Sequence, residues 1–291
     1  MTAPATWTWA RGQLAVLGYA PDGDSVRFLP DDPATLRRLT DGDRLEVSER
    51  DGTVQLRLDA IDAPESHYQG QAQPLADPAR DDLLAAAGFT GLRYSTDGEG
   101  TVEATTPERV PAAIAASLVE TNGRPVALLF VGDAATSYPD GTAVTVDEAL
   151  FDRSLNAAQT RIGRVYLTLY TSTPEAARTR FIALAREAGA GTPAPLAGTV
   201  WAADRSAGFR VTTQADVGPQ GSLVLPKLFR RVTDYLASES TETFDAWLLD
   251  QGADDDPVEA MGQRTTLSAL VTQSGDQVSL TVSPLDLVFV E

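Results

Sequence analysis

Two short stretches hold the side chains that phosphoryl chemistry needs. The first is Asp22-Gly23-Asp24-Ser25, set just ahead of an apolar run. The second is Arg57-Leu58-Asp59-Ala60-Ile61-Asp62-Ala63-Pro64-Glu65. A carboxylate from Asp24 and another from Asp62 offer a hard divalent cation two anionic oxygens, with backbone carbonyls and water completing its shell. Glu65 follows where it can accept a proton from a water aimed at phosphorus. Arg57 supplies a fixed cationic fork for phosphate oxygens.

The elements that must position these residues are short. Runs at 14–19, 25–29 and 54–61, bounded by Pro, Gly and Asp, read as strands, and Asp51-Gly52 reads as the turn of a hairpin. Along 54–61, strand alternation places Arg57, Asp59 and Ile61 on one face and Leu58, Ala60 and Asp62 on the other, until Pro64 breaks the pattern. An Ala- and Leu-rich helix is expected from Asp77 to Ala87, then β structure near 92–105, a helix from Pro107 to about residue 121 and a buried strand at Val126–Val131. Helices at Val144–Ala158 and Pro174–Ala188 flank a strand at 164–170, with Thr173 as the expected N-cap of the second helix and Pro174 at its first position. After a Gly- and Pro-rich stretch at 189–198, helices at 223–237 and 242–249 and strands at 266–273 and 277–290 are expected.

Taken together, the two stretches resemble the thermonuclease, or staphylococcal nuclease-like, family, whose hallmark is an Asp-Gly-Asp-Thr element followed by Arg, four residues, Asp, Thr or Ala, Pro and Glu. The resemblance covers roughly residues 12–203. It implies that Asp24 and Asp62 hold one Ca²⁺ together with the backbone carbonyl of Ala63, which replaces a threonine. It further implies that Arg57 and Arg124 clamp the phosphate, with Glu65 as general base. Arg124 is assigned from Gly123-Arg124-Pro125-Val126-Ala127-Leu128-Leu129, a Gly-Arg pair before an apolar strand. Tyr166 or Tyr170 would line the nucleotide pocket. The implied fold is α+β: a five-stranded OB-fold barrel with packed helices, followed by a smaller α+β region. The implied activity is calcium-dependent hydrolysis of DNA and RNA, single strands preferred. The expected division is an N-terminal segment 1–11, a nuclease domain 12–204 and an accessory region 205–291 that could dock a protein partner or carrier. The competing expectation is a binding module that keeps the barrel without turnover.

Composition narrows the alternatives. The chain has 291 residues, 41 acidic against 23 basic, for a net charge of −18, and Lys227 is its only lysine. Nucleic-acid binding must therefore come from a local arrangement that overcomes an unfavourable global field. Without cysteine there is no disulfide, thiolate nucleophile or zinc-thiolate site, and one histidine, His67, permits no multi-histidine metal centre. Membrane-spanning and signal sequences are not expected, which points to a cytoplasmic chain, with release or leaderless export as an extension. Trp7 and Trp9 read as a β segment covering the barrel. His67 reads as an exposed loop residue, Asp254–Asp256 as a solvated acidic loop, and Arg230 with Arg231 as a charged outer helix face.

Overall fold

The computed structural model describes residues 6–96, 98, 100–251 and 256–290. Two compact units divide the chain, Met1–Asp59 with Arg80–Gln159 and Ala60–Ala79 with Thr160–Glu291. The segment 12–204 therefore contributes to both, whereas 205–291 lies wholly in the second.

The first unit is built on five strands: β1 (Thr6–Ala15), β2 (Ser25–Pro30), β3 (Val54–Leu58), β4 (Arg109–Val119) and β5 (Pro125–Val131). Antiparallel ladders β1–β2, β2–β3, β4–β5 and β4–β1, with one parallel pairing of β3 to β5, close them into a barrel. The architecture is mixed α+β with an OB-like barrel. Period-two alternation drives it: Val26 and Phe28 of β2 and Val54, Leu56 and Leu58 of β3 are buried, leaving Ser25, Arg27, Gln55 and Arg57 on the outer face. Trp7 and Trp9 of β1 are buried, and the Trp9 ring lies 4.8 Å from that of Phe130.

Four local expectations are corrected. The helix expected over 107–121 is strand β4, paired on one side with β1 and on the other with β5. Ala112 to Ala116 suit a helix by propensity, but partners on both flanks override propensity, and four alanines with Ile114 are buried there. The strand expected over 54–61 is broken: Ala60 adopts φ 64°, and a separate pair, Ile61–Asp62, follows. In place of one helix at 144–158 there is a strand, Ala143–Thr145, and two short helices, Glu148–Phe151 and Leu155–Arg161. The helix expected from Pro174 starts at Glu175, with Pro174 itself at the cap, while the Thr173 hydroxyl accepts from the Tyr170 N–H at 3.2 Å.

The expected hairpin turn at Asp51-Gly52 is present, with Val47 bridged to Val54. The Asp51 carboxylate accepts from the Tyr19 hydroxyl at 2.9 Å, the Thr53 hydroxyl at 2.8 Å and the Thr53 N–H at 3.2 Å. Burial raises its pKa, but these hydrogen bonds outweigh it and bring the group from 3.8 down to about 2. Because the folded value lies below the unfolded one, the stabilisation is complete above pH 3.8 and is lost as pH falls through about 2. Asp51→Asn is therefore expected to flatten the loss of stability across that window in denaturant titrations; the same acid slope as wild type would contradict this.

The second unit has its own apolar core, including Phe209, Leu228, Phe229, Val232, Phe244, Val258, Val278 and Phe289. The strands Leu169–Tyr170, Leu287–Phe289, Pro257–Ala260 and Gln263–Thr266 form one sheet, and Phe209–Arg210, Gln277–Leu280 and Val271–Ser274 form another. Its longest C-terminal helix, Pro226–Ala237, begins with proline at a first-turn position and buries Leu228, Phe229, Val232 and Thr233 on one face. The strands expected at 266–273 and 277–290 are each shorter or interrupted, by the 3₁₀ turns Ser268–Leu270 and Pro284–Asp286.

Candidate functional site

In the first unit the backbone brings Asp24, Arg57 and the Arg124 segment together. Asp24 precedes β2, its carbonyl accepts from the Leu58 N–H at 2.8 Å, and the next residue, Ser25, stands opposite Arg57 in the β2–β3 register. The Asp22-Gly23-Asp24 turn is fixed from within by the Gly23 N–H donating to Asp22 at 2.7 Å, and from outside by Gln159 Nε2 donating to the Gly23 carbonyl at 3.2 Å.

Arg57 pairs in parallel with Val126, two positions beyond Arg124. Arg124 closes the tight β4–β5 connection, where the Glu120 N–H donates to the Arg124 carbonyl at 3.0 Å and Gly123 supplies φ 75°. Its Nε donates to Glu120 at 2.8 Å. Burial raises the Glu120 pKa, yet the group lies below its ordinary range because Arg124 and, more weakly, Arg57 favour the carboxylate. Two guanidiniums thus act on one anion. Glu120 escaped sequence reading; its only signal was its place across an Asn-Gly turn from Arg124.

Asn156 holds the frame of this arrangement. Fully buried, it accepts from the Leu129 N–H at 3.0 Å and donates to the carbonyls of Asp59 at 2.9 Å and Ala127 at 3.0 Å. Asn156→Leu leaves three backbone groups without this partner, at about 1–3 kcal/mol for each that stays unsatisfied. A loss of about 2–4 kcal/mol is expected in chemical denaturation, and a loss within error of zero would contradict the role.

In the second unit Asp62 and Glu65 meet at a residue that sequence reading had placed on a solvated face. Asp62 lies in the strand Ile61–Asp62, paired with Tyr166–Leu167. Arg230 grips its carboxylate with both terminal nitrogens, at 3.0 and 3.4 Å, and Arg230 also donates to Glu65. All three side chains are largely buried. Burial opposes the charge on Arg230, but Asp62 and Glu65 outweigh it, and its pKa is raised further above the ordinary guanidinium value. The reading of Arg230 as a charged outer face is thereby corrected. Arg231 is likewise engaged: with Lys227 it pairs to Asp256, whose pKa burial raises and these cations lower more strongly. Asp254 and Asp255 lie outside the described residues.

The loop after Asp62 is seated on the same helix. Gln73, buried, accepts from the Glu65 N–H at 3.1 Å and donates to the Val224 carbonyl at 2.8 Å, just ahead of the helix. One turn beyond Arg230, Asp234 accepts from the Tyr68 hydroxyl at 2.9 Å and from Gln69 at 2.7 Å. Ala63 is buried, and half-buried His67 has Nδ1 2.7 Å from the Ser66 hydroxyl. Tyr166 is wholly buried with its hydroxyl on Asp204 at 2.9 Å, so it is a core residue here. Tyr170 packs its ring 6.0 Å from Phe289.

Both oxygens of Asp62 accept from Arg230 in this arrangement, one hydrogen bond each. The fold and the two residue clusters define a mixed α+β protein on a closed, OB-like five-stranded barrel carrying a pair of barrel-end arginines. No family model matches the chain, and no curated protein matches its sequence. Among the described residues, no helix is long and apolar enough to cross a membrane.

Proposed function

We propose that the chain is a nuclease that hydrolyses phosphodiester bonds of DNA and RNA, with single strands preferred. The observation that carries this reading is the placement of Arg57 and Arg124 at neighbouring strand ends, Arg57 pairing with Val126 two positions beyond Arg124. A place that favours a carboxylate through two guanidiniums also favours a phosphate, and more so the extra charge of a pentacoordinate phosphorane. The Asp24 turn beside Arg57, and the order of Arg57, Asp62 and Glu65 along the chain, support the same reading through their resemblance to the thermonuclease-like family. In this reading Arg57 and Arg124 hold the phosphate oxygens, and the role of Glu65 as general base comes from the resemblance alone. Calcium enters this reading through the resemblance alone.

The seat of Arg230 favours a second reading, a barrel that binds single strands without cutting them. One experiment separates the two: full-length protein is incubated with end-labelled single-stranded DNA in Ca²⁺ or in strong chelator, alongside Glu65→Gln. Cleavage that disappears with the substitution is expected for the nuclease, and its dependence on chelator reports the ion. Retention of the strand without cleavage sinks the nuclease reading in favour of the second. Equal cleavage by wild type and Glu65→Gln places the activity elsewhere.

A further inference from the structure

We propose that Arg27, stacked on Tyr19, forms a second phosphate subsite on the outer face of the barrel, receiving the phosphate adjacent to the one held by Arg57. The proposal deepens the nuclease reading and rests on it for the position of the first phosphate.

Alternation along β2 and β3 places Arg27 on the same outer face as Arg57. Ser25 stands opposite Arg57 and Arg27 opposite Gln55, so the two arginines are diagonal neighbours across the ladder. Such diagonal positions are about 7–8 Å apart, comparable to the step between consecutive phosphates of an extended strand. On its other flank Arg27 faces Ala15 of β1.

The state of the guanidinium points to an anion. Among the described residues the Arg27 side chain makes no hydrogen bond or ion pair, and its Nε is shielded from solvent without a partner.

Tyr19 serves as the platform. The Arg27 guanidinium lies 4.8 Å from the ring centroid and that of Arg50 lies 4.9 Å from it. Asp51 fixes the ring through the Tyr19 hydroxyl and spends its carboxylate on that hydroxyl and Thr53. Arg50, also without an ion pair among the described residues, reaches the Gly18 carbonyl at 3.3 Å. Two cations are thereby held against one ring, whose hydroxyl donates to the Asp51 carboxylate.

The test is binding of a fluorescent oligothymidylate, by anisotropy, to the full chain in chelator across a salt series. Wild type, Arg27→Ala and Arg27→Lys are compared after thermal melts show the same fold. Arg27→Ala is expected to weaken binding about tenfold and to reduce the slope of log affinity against log salt by about 0.7, the contribution of one phosphate on a single strand. Arg27→Lys, which keeps the charge, should retain most of the slope. Hydrolysis of a chromogenic thymidine ester with a single phosphodiester should be unchanged in both variants. Equal affinity and slope in wild type and Arg27→Ala overturns the subsite, as does an equal loss on the single-phosphodiester ester. Binding that depends on Arg27 with no cleavage by wild type defeats the nuclease reading and leaves the subsite standing.

Discussion

Replacing Arg230 by methionine is expected to destabilise the second unit by about 3–5 kcal/mol, the cost of leaving buried carboxylates without their counter-charge. Asp62 and Glu65 are largely buried and share this one guanidinium, so its removal leaves two like charges facing each other. Methionine keeps much of the apolar stem, which confines the loss to electrostatics and hydrogen bonds. Chemical denaturation of the full chain measures it, followed by a cycle in which Asp62→Asn is added. The double variant should recover part of the loss, because one uncompensated charge has gone with the guanidinium. An Arg230→Met protein as stable as wild type would show that the contact contributes nothing to folding.

Arg57→Ala is expected to lower the rate of strand cleavage by about 10²–10³, the usual effect of deleting one preorganised donor to a developing oxyanion. The loss should appear in the single-turnover rate more than in substrate affinity, because extra charge on the phosphorus oxygens develops only in the transition state. Arg57→Lys should restore little, since an ammonium keeps the charge but not the planar fork. The fold should survive, as Arg57 lies on the outer face of β3 with only Leu56 and Leu58 beside it turned inward. Wild-type cleavage by Arg57→Ala would remove the arginine pair from the chemistry.

These two predictions differ in how visible their residues were beforehand. Arg57 could be singled out because its neighbours in the chain are also its chemical context: Asp62 and Glu65 follow within the same short stretch. Arg230 could not, because its partners are 168 and 165 positions away. A helix with Arg230 and Arg231 on its polar side satisfies the solvated and the buried reading equally well. The same limit hid Glu120, whose meaning arises only when the β4–β5 turn folds it onto Arg124.

What the sequence by itself determined was the barrel's inner and outer faces, the turns at Asp22–Asp24 and Asp51-Gly52, and the candidate phosphate chemistry. Each of these is local, set by a two-residue period, by a turn residue or by spacing along a few positions. Tertiary structure alone decided that the Ala-rich stretch Arg109–Val119 is a strand, that Ala60 interrupts the strand before Asp62, and that Arg230 joins Asp62 and Glu65. The physical reason is common to all three. Small apolar residues and paired charges have no preference strong enough to fix their own conformation, so the partner that buries or neutralises them makes the choice.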